Sequence, residues 1–206
     1  MATTTKSKST GESKAHSDQK TALSWNNGNT GVLVGAAVAG AAVGLAANAG
    51  RKLFMQFGNV TAGDWFEALK MEHEMALAIF DKIEATDDSQ TMMRSHLLTK
   101  LKHALSKHAA EEEMVIYPAL RQAGHGGQAD HLNSDHGMVK TYLYELETMS
   151  NDNPAWLAKV RAFRGEIEEH MREEEQTIFP PFRAQLSDEE NSKLTTMMNK
   201  EGFKHA

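Results

Sequence analysis

The sequence predicts an all-α protein, an up-down four-helix bundle, and three observations carry that prediction. Four segments between about residues 62 and 186 place their apolar side chains at helical spacing. The breaks between them are short and contain Gly, Asn or Pro, which favours antiparallel neighbours. No segment alternates apolar and polar residues as a strand would.

The first helix is expected over about 62–86, with Phe66, Leu69, Ala76, Phe80 and Ile83 on one face. The second, over about 90–121, aligns Leu97, Leu101, Leu105, Val115 and Ala119, and Gly124 to Gly127 break the pattern after it. The third, over about 129–150, aligns Leu132, Val139, Leu143 and Leu146 and stops before Asn151 to Pro154. The fourth, over about 155–185, aligns Val160, Phe163, Ile167 and Ile178. Pro118 and Pro180 have no amide N–H and should kink or end their helices. Ser187 followed by Glu190 has the form of a capping box and should open a short fifth helix within 187–206.

The chain before the bundle reads differently. Residues 1–30 are rich in Thr, Ser, Lys, Gly and Asn and are expected to be disordered. Gly31 to Gly50, within a segment 31–52 that ends in Arg51 and Lys52, carries no charge and is almost wholly Gly, Ala, Val and Leu. As a helix, about 20 residues reach about 30 Å, the depth of a bilayer core. Its glycines include two GxxxG pairs, Gly31/Gly35 and Gly40/Gly44, a spacing that lets helices approach closely. The segment is a candidate membrane or self-association helix; a cleaved signal and a flexible linker are the competing readings. The expected location is the cytoplasm, at a membrane if residues 31–50 insert.

The net charge of -6 argues against a nucleic-acid partner. The absence of cysteine excludes disulfides, iron–sulfur clusters, thiolate zinc sites and cysteine nucleophiles.

Two stretches repeat each other. His108, Glu111-Glu112-Glu113, Ile116-Tyr117-Pro118 recur in register as His170, Glu173-Glu174-Glu175, Ile178-Phe179-Pro180. Glu72-His73 likewise recurs as Asp135-His136, so the domain reads as a duplicated helical hairpin. Each of the four histidines lies in line with its helix's apolar stripe, and residues four apart share a face. Ionisable groups on a buried stripe are costly unless paired or bound to metal. A hydrogen-bonded core pair accounts for any one His–Glu couple, but agreement of position, repeat and face in six residues points to metal. The candidate ligands are His73, His108, Glu112, His136, His170 and Glu174. Imidazole and carboxylate without thiolate suit iron, manganese or zinc. The set is too large for one structural zinc and fits two adjacent ions bridged by carboxylates. His131 with Asp135 is read as a chance match, and Tyr117 and Phe179 as core; Glu111, Glu113, Glu173 and Glu175 are read as solvated or supporting groups, with Glu111 and Glu173 expected nearest the site. Without metal, buried neutral imidazoles would charge in acid and loosen the bundle.

The order of a lone histidine, a HxxxE pair, a second lone histidine and a second HxxxE pair, with an aromatic–proline after each pair, resembles the hemerythrin family in its bacterial branch of HHE cation-binding domains. The resemblance covers about residues 62–186. It implies a four-helix bundle around two non-haem iron ions, with Glu112 and Glu174 as bridging carboxylates and the four histidines as terminal ligands. It also implies a small ligand, dioxygen, nitric oxide or peroxide, in stress response or sensing, by binding or by weak peroxide decomposition. Oxygen-carrying members have a further histidine where this chain has Lys140. Iron storage or delivery, and a membrane-associated structural bundle, are the alternatives.

Overall fold

The computed structural model describes Met1 and residues 63–206. The polar tail and the Gly/Ala-rich segment expected within residues 1–52 lie outside the described residues. Among the described residues no helix is long and apolar enough to cross a membrane.

Helix α1 (Trp65–Glu84) starts at Asp64, whose carboxylate accepts from the amides of Phe66 and Glu67. That cap satisfies two donors otherwise orphaned in the first turn. Helix α2 (Thr91–Glu111) passes through a wide π turn (Glu112–Ile116) into α3 (Tyr117–Gln122). After Gly124, whose φ of 97° only glycine adopts easily, α4 runs Gly126–Thr148. Helix α5 (Trp156–Glu173) repeats the α2 pattern, with a π turn (Glu174–Ile178) and then α6 (Phe179–Gln185). Helix α7 (Asp188–His205) completes the chain. α2 with α3, and α5 with α6, each form one rod, so four rods make the up-down bundle. α7 packs on α1, α2 and the first π turn.

The prolines do not end their helices. The amides of Tyr117 and Phe179, each just before a proline, donate to the carbonyls of Glu112 and Glu174. The next residue has no amide to donate, and the ladder changes register there. The disturbance is taken up as a wide turn, and the rods continue to Gln122 and Gln185.

The fifth helix was expected to be short, yet α7 is 18 residues long. Its capping box is present: Ser187 Oγ accepts from the Glu190 amide, and the Glu190 carboxylate accepts from the Ser187 amide. Its length follows from what it holds. Leu194 and Met198 are buried. The Trp65 indole donates to Asn191 Oδ1 at 2.9 Å and the Trp65 amide to Thr195 Oγ1 at 2.9 Å. Further along, Gly202 lies flat against Glu111, so that an added Cβ would collide with the Glu111 carboxylate. Glu111 is fully buried and held by Lys107 at 2.7 Å, so it has little freedom to yield. Helix propensity alone says Gly202→Ala stabilises by about 1 kcal/mol. The expected result is the opposite, a loss of about 1–3 kcal/mol in denaturant melts, because overpacking wins.

The apolar core has two parts. One gathers Trp65, Leu69, Ile116, Leu132, Ile178 and Phe182; the other Phe80, Leu101, Leu105, Leu143, Phe163 and Ile167. On every rod the candidate ligands fall between members of the two clusters, as His73 does between Leu69 and Ala76. The site is therefore a polar layer sandwiched by hydrocarbon.

Candidate metal centre

The structure brings all six sequence-predicted residues into that layer, and each is at least nine-tenths buried. Their donor atoms form two groups within ligand reach: His73, His108, Glu112 and Glu174, and then Glu112, His136 and His170. Glu112 belongs to both. Its Oε2 lies 3.2 Å from His108 Nε2 and 3.3 Å from His136 Nε2. Glu174 Oε2 spans the layer in the same manner, 3.5 Å from both His73 Nε2 and His170 Nε2.

All four imidazoles are turned the same way, Nε2 inward and Nδ1 on a carboxylate. His73 Nδ1 meets Glu175 at 2.7 Å and His108 Nδ1 meets Glu72 at 3.0 Å. His136 Nδ1 meets Glu113 at 3.0 Å and His170 Nδ1 meets Asp135 at 3.3 Å. A carboxylate at Nδ1 fixes the proton there and leaves Nε2 with a lone pair pointing inward, the tautomer a metal needs. The duplication is visible in this shell. The acid preceding each lone histidine orients the HxxxE histidine of the same half. The acid following the glutamate of each HxxxE pair orients the lone histidine of the other half.

The donor set fits metal on a direct test. His73 Nε2 and His108 Nε2 are 2.9 Å apart. With Nδ1 protonated on both rings, two lone pairs would face each other unless a cation or extra proton sits between them. Two nitrogens held about 2.1 Å from one ion at right angles would be about 3.0 Å apart. Glu112 Oε1, Glu174 Oε2 and His170 Nε2 are buried without hydrogen-bond partners. Such orphans are costly in hydrocarbon surroundings and expected where a metal is held.

Electrostatics without metal point the same way. Burial alone would lower the His73 pKa, but the carboxylates of Glu174 and Glu175 beside the ring override it and raise it to about 10. His136 is raised to about 9 by Glu112 and Glu113 against the same burial. Burial would raise Glu174, yet the imidazoles of His170 and His73 hold it well below the usual carboxylate range. This reverses the acid-loosening expected for neutral buried histidines. The folded pKa values exceed the unfolded one, so the stabilisation is complete below about pH 6.5 and is lost as pH rises through 9 to 10. The chelated protein is therefore expected to melt at a lower temperature at pH 10 than at pH 6.5. Thermal melts at fixed ionic strength check this, and equal melting at both values would contradict it.

Five residues around the site depart from the sequence reading. Glu113 and Glu175, rather than the favoured Glu111 and Glu173, touch the candidate ligands. Glu111 instead pairs with Lys107, and Glu173 with His131 at 3.1 Å. Tyr117, expected as core, is buried but puts its hydroxyl in the layer, donating to Glu174 Oε1 at 2.7 Å and lying 3.1 Å from His136 Nε2. Phe179, its counterpart in the repeat, is core as expected.

A family model for the hemerythrin HHE cation-binding domain matches residues 65–182. The chain belongs to this family. A crystal structure of a hemerythrin HHE cation-binding domain-containing protein from Mycobacterium kansasii superposes with a TM-score of 0.62 at 24% identity, over 69% of this chain and 86% of that one. At that identity it shows the shared fold. An uncharacterized hemerythrin-like protein of Schizosaccharomyces pombe is 25% identical over 128 residues, 61% of this chain and 62% of its own length. A protein named DNA nickase from Nostoc sp. is 25% identical over 130 residues, 63% of this chain but 36% of its length. The chain thus spans under two thirds of either relative. Lys140 follows His136 by one turn of α4. It turns outward to Glu113 Oε1 at 2.8 Å.

Proposed function

We propose that the six residues hold two iron ions, bridged by Glu112 and Glu174, and that the centre binds dioxygen, nitric oxide or peroxide in defence against or sensing of oxidative and nitrosative stress. The observation that carries this reading is the membership of Glu112 in both ligand groups. A paired, redox-capable ion set supplies electrons and open positions to a small ligand. The chain supplies the rest. The Nδ1 carboxylates lock each ring, the two core clusters keep bulk water out, and the Tyr117 hydroxyl places a proton at Glu174 Oε1.

The size of the ligand is limited by the space beside the rings. A gap of about 10 Å³ is bounded by His108, His136 and His170 with Leu105, Val139 and Met171. About one water-sized probe occupies such a volume, which suits a diatomic molecule or peroxide. Lys140 in place of a histidine favours ligand binding or slow peroxide turnover over reversible oxygen carriage.

The test is metal content and the optical spectrum of the full chain, before and after azide or peroxide. About two iron per chain, with near-ultraviolet charge-transfer bands that shift on addition, is the expected result for an open pair. One tightly held zinc with no spectral response would overturn it.

A further inference from the structure

We propose a second cation site outside the inner layer, formed by His131, Asp135 and Glu173, which takes a divalent first-row metal ion on its way to the inner centre. His131 and Asp135 are one turn apart on α4, and Glu173 ends α5. His131 Nε2 lies 3.1 Å from Glu173 Oε2 and 3.8 Å from Asp135 Oδ2, and one donor atom from each residue falls within 4.8 Å of the others. One imidazole and two carboxylates suit iron(II), manganese(II), cobalt(II) or zinc(II).

The duplicated halves supply an independent argument. In the first half the matching carboxylates are Glu72 and Glu111, and a built-in cation sits between them: Lys107 Nζ, 4% exposed, at 2.5 Å and 2.7 Å. In the second half the position of Lys107 is Glu169, and the position of Ala68 is His131. The same pair of acids recurs as Asp135 and Glu173, with the ammonium gone and an imidazole added. What the first half fills with lysine, the second half leaves to a cation from solution.

The surroundings favour such an ion and lead it inward. The three residues edge a cavity of about 210 Å³ whose wall adds Glu166, Glu169 and His170; Glu169 is paired with Arg172, which stands outside the lining. An acidic, partly enclosed mouth concentrates cations. The opening beside His73 has Arg172 in its wall instead. Asp135 joins the two sites, since its Oδ2 is also 3.3 Å from His170 Nδ1. The loading role rests on the inner centre being metallic; the outer site itself does not.

Zinc(II) titration of the full chain, by calorimetry and metal analysis, tests this. With the inner centre filled with iron, one further equivalent is expected. Its affinity falls at least tenfold in His131→Ala and in Glu173→Gln, and it vanishes in Glu169→Lys, which restores the first half's ammonium. Iron uptake into the inner centre, followed optically, slows in the same variants. Glu112→Gln, which damages only the inner centre, should retain the outer equivalent, so failure of one reading is distinguishable from failure of the other. Absence of the further equivalent, or equal binding by wild type and the His131 and Glu173 variants with unchanged melting, would overturn the proposal.

Discussion

Glu112→Gln is expected to empty the whole inner centre rather than half of it. Glu112 is the residue common to the two ligand groups, so in the proposed centre its carboxylate would neutralise and tie both positions. Glutamine keeps the volume and one acceptor oxygen but removes the charge and the symmetric second oxygen. In a layer closed off by two apolar clusters, two ions held close together would lose one of the two shared carboxylates that offset their repulsion. Loss of a residue that only orients a ligand costs about 10–100-fold in affinity, and loss of a shared ligand should exceed that. His73→Ala is the informative contrast, because His73 belongs to one group only. Metal analysis after mild dialysis should find nearly no metal in the first variant and about one ion per chain in the second. Retention of both ions by Glu112→Gln would remove the bridging role.

The largest effect on stability is expected at Lys107. Its ammonium is buried against Glu72 and Glu111, beneath Gly202 of α7. Burial, and Glu72 beside it, push Glu111 up to about 9. Burial would raise Glu72 as well, but His108 and Lys107 hold it well below the usual range. The two acids thus share one proton, and Lys107 balances the charge that remains. Lys107→Met leaves that charge buried without its cation, a change that costs about 3–5 kcal/mol. For a domain of this size the melting point should drop by about 10–15 °C. Adding Glu72→Gln, which removes the ionised carboxylate and leaves Glu111 its proton, should recover part of the loss; a double variant no better than the single would mean that the loss comes from packing. Glu72 also orients His108, so the single variant should weaken metal retention in proportion.

The rods and the six inward residues were legible because two periodic signals coincide there, the apolar stripe and the duplication. Phe66, Leu101, Phe163 and Ile178 are core as their spacing implies. What surrounds the ligands was less legible. Reading α2 and α5 as uninterrupted α-helices puts the residue three after each histidine nearest its face, which is why Glu111 and Glu173 were expected there. The π turns begin at Glu112 and Glu174, and a wider turn advances fewer degrees per residue, so Glu113 and Glu175 stay near the bundle axis. The repeated acid–histidine steps, Glu72-His73 and Asp135-His136, were a visible signal for the other two Nδ1 partners. Arg94, fully buried and donating to Thr86 and Asn151, gave none, since nothing in its neighbourhood marks it apart from a surface arginine. Tyr117 differs from Phe179 by one hydroxyl, and only the tertiary arrangement shows that it reaches the layer.

The two π turns also govern which changes in chain length the protein can absorb. Each holds one residue more than a plain α-helical turn, so the apolar stripes on either side are offset by one residue in sequence. Deleting a single residue between His108 and Tyr117 would let the backbone close into ordinary turns. The far segment would keep its facing, because four residues at about 100° each turn about as far as the five of the wide turn. What would be lost is the extra residue that lets Glu112 and Glu113 both lie at the layer. The loops at 85–90 and 149–155 carry no such offset. Length variation among relatives should therefore collect in those loops, and the count of residues from histidine to proline, 108 to 118 and 170 to 180, should be held fixed even where the residues themselves change.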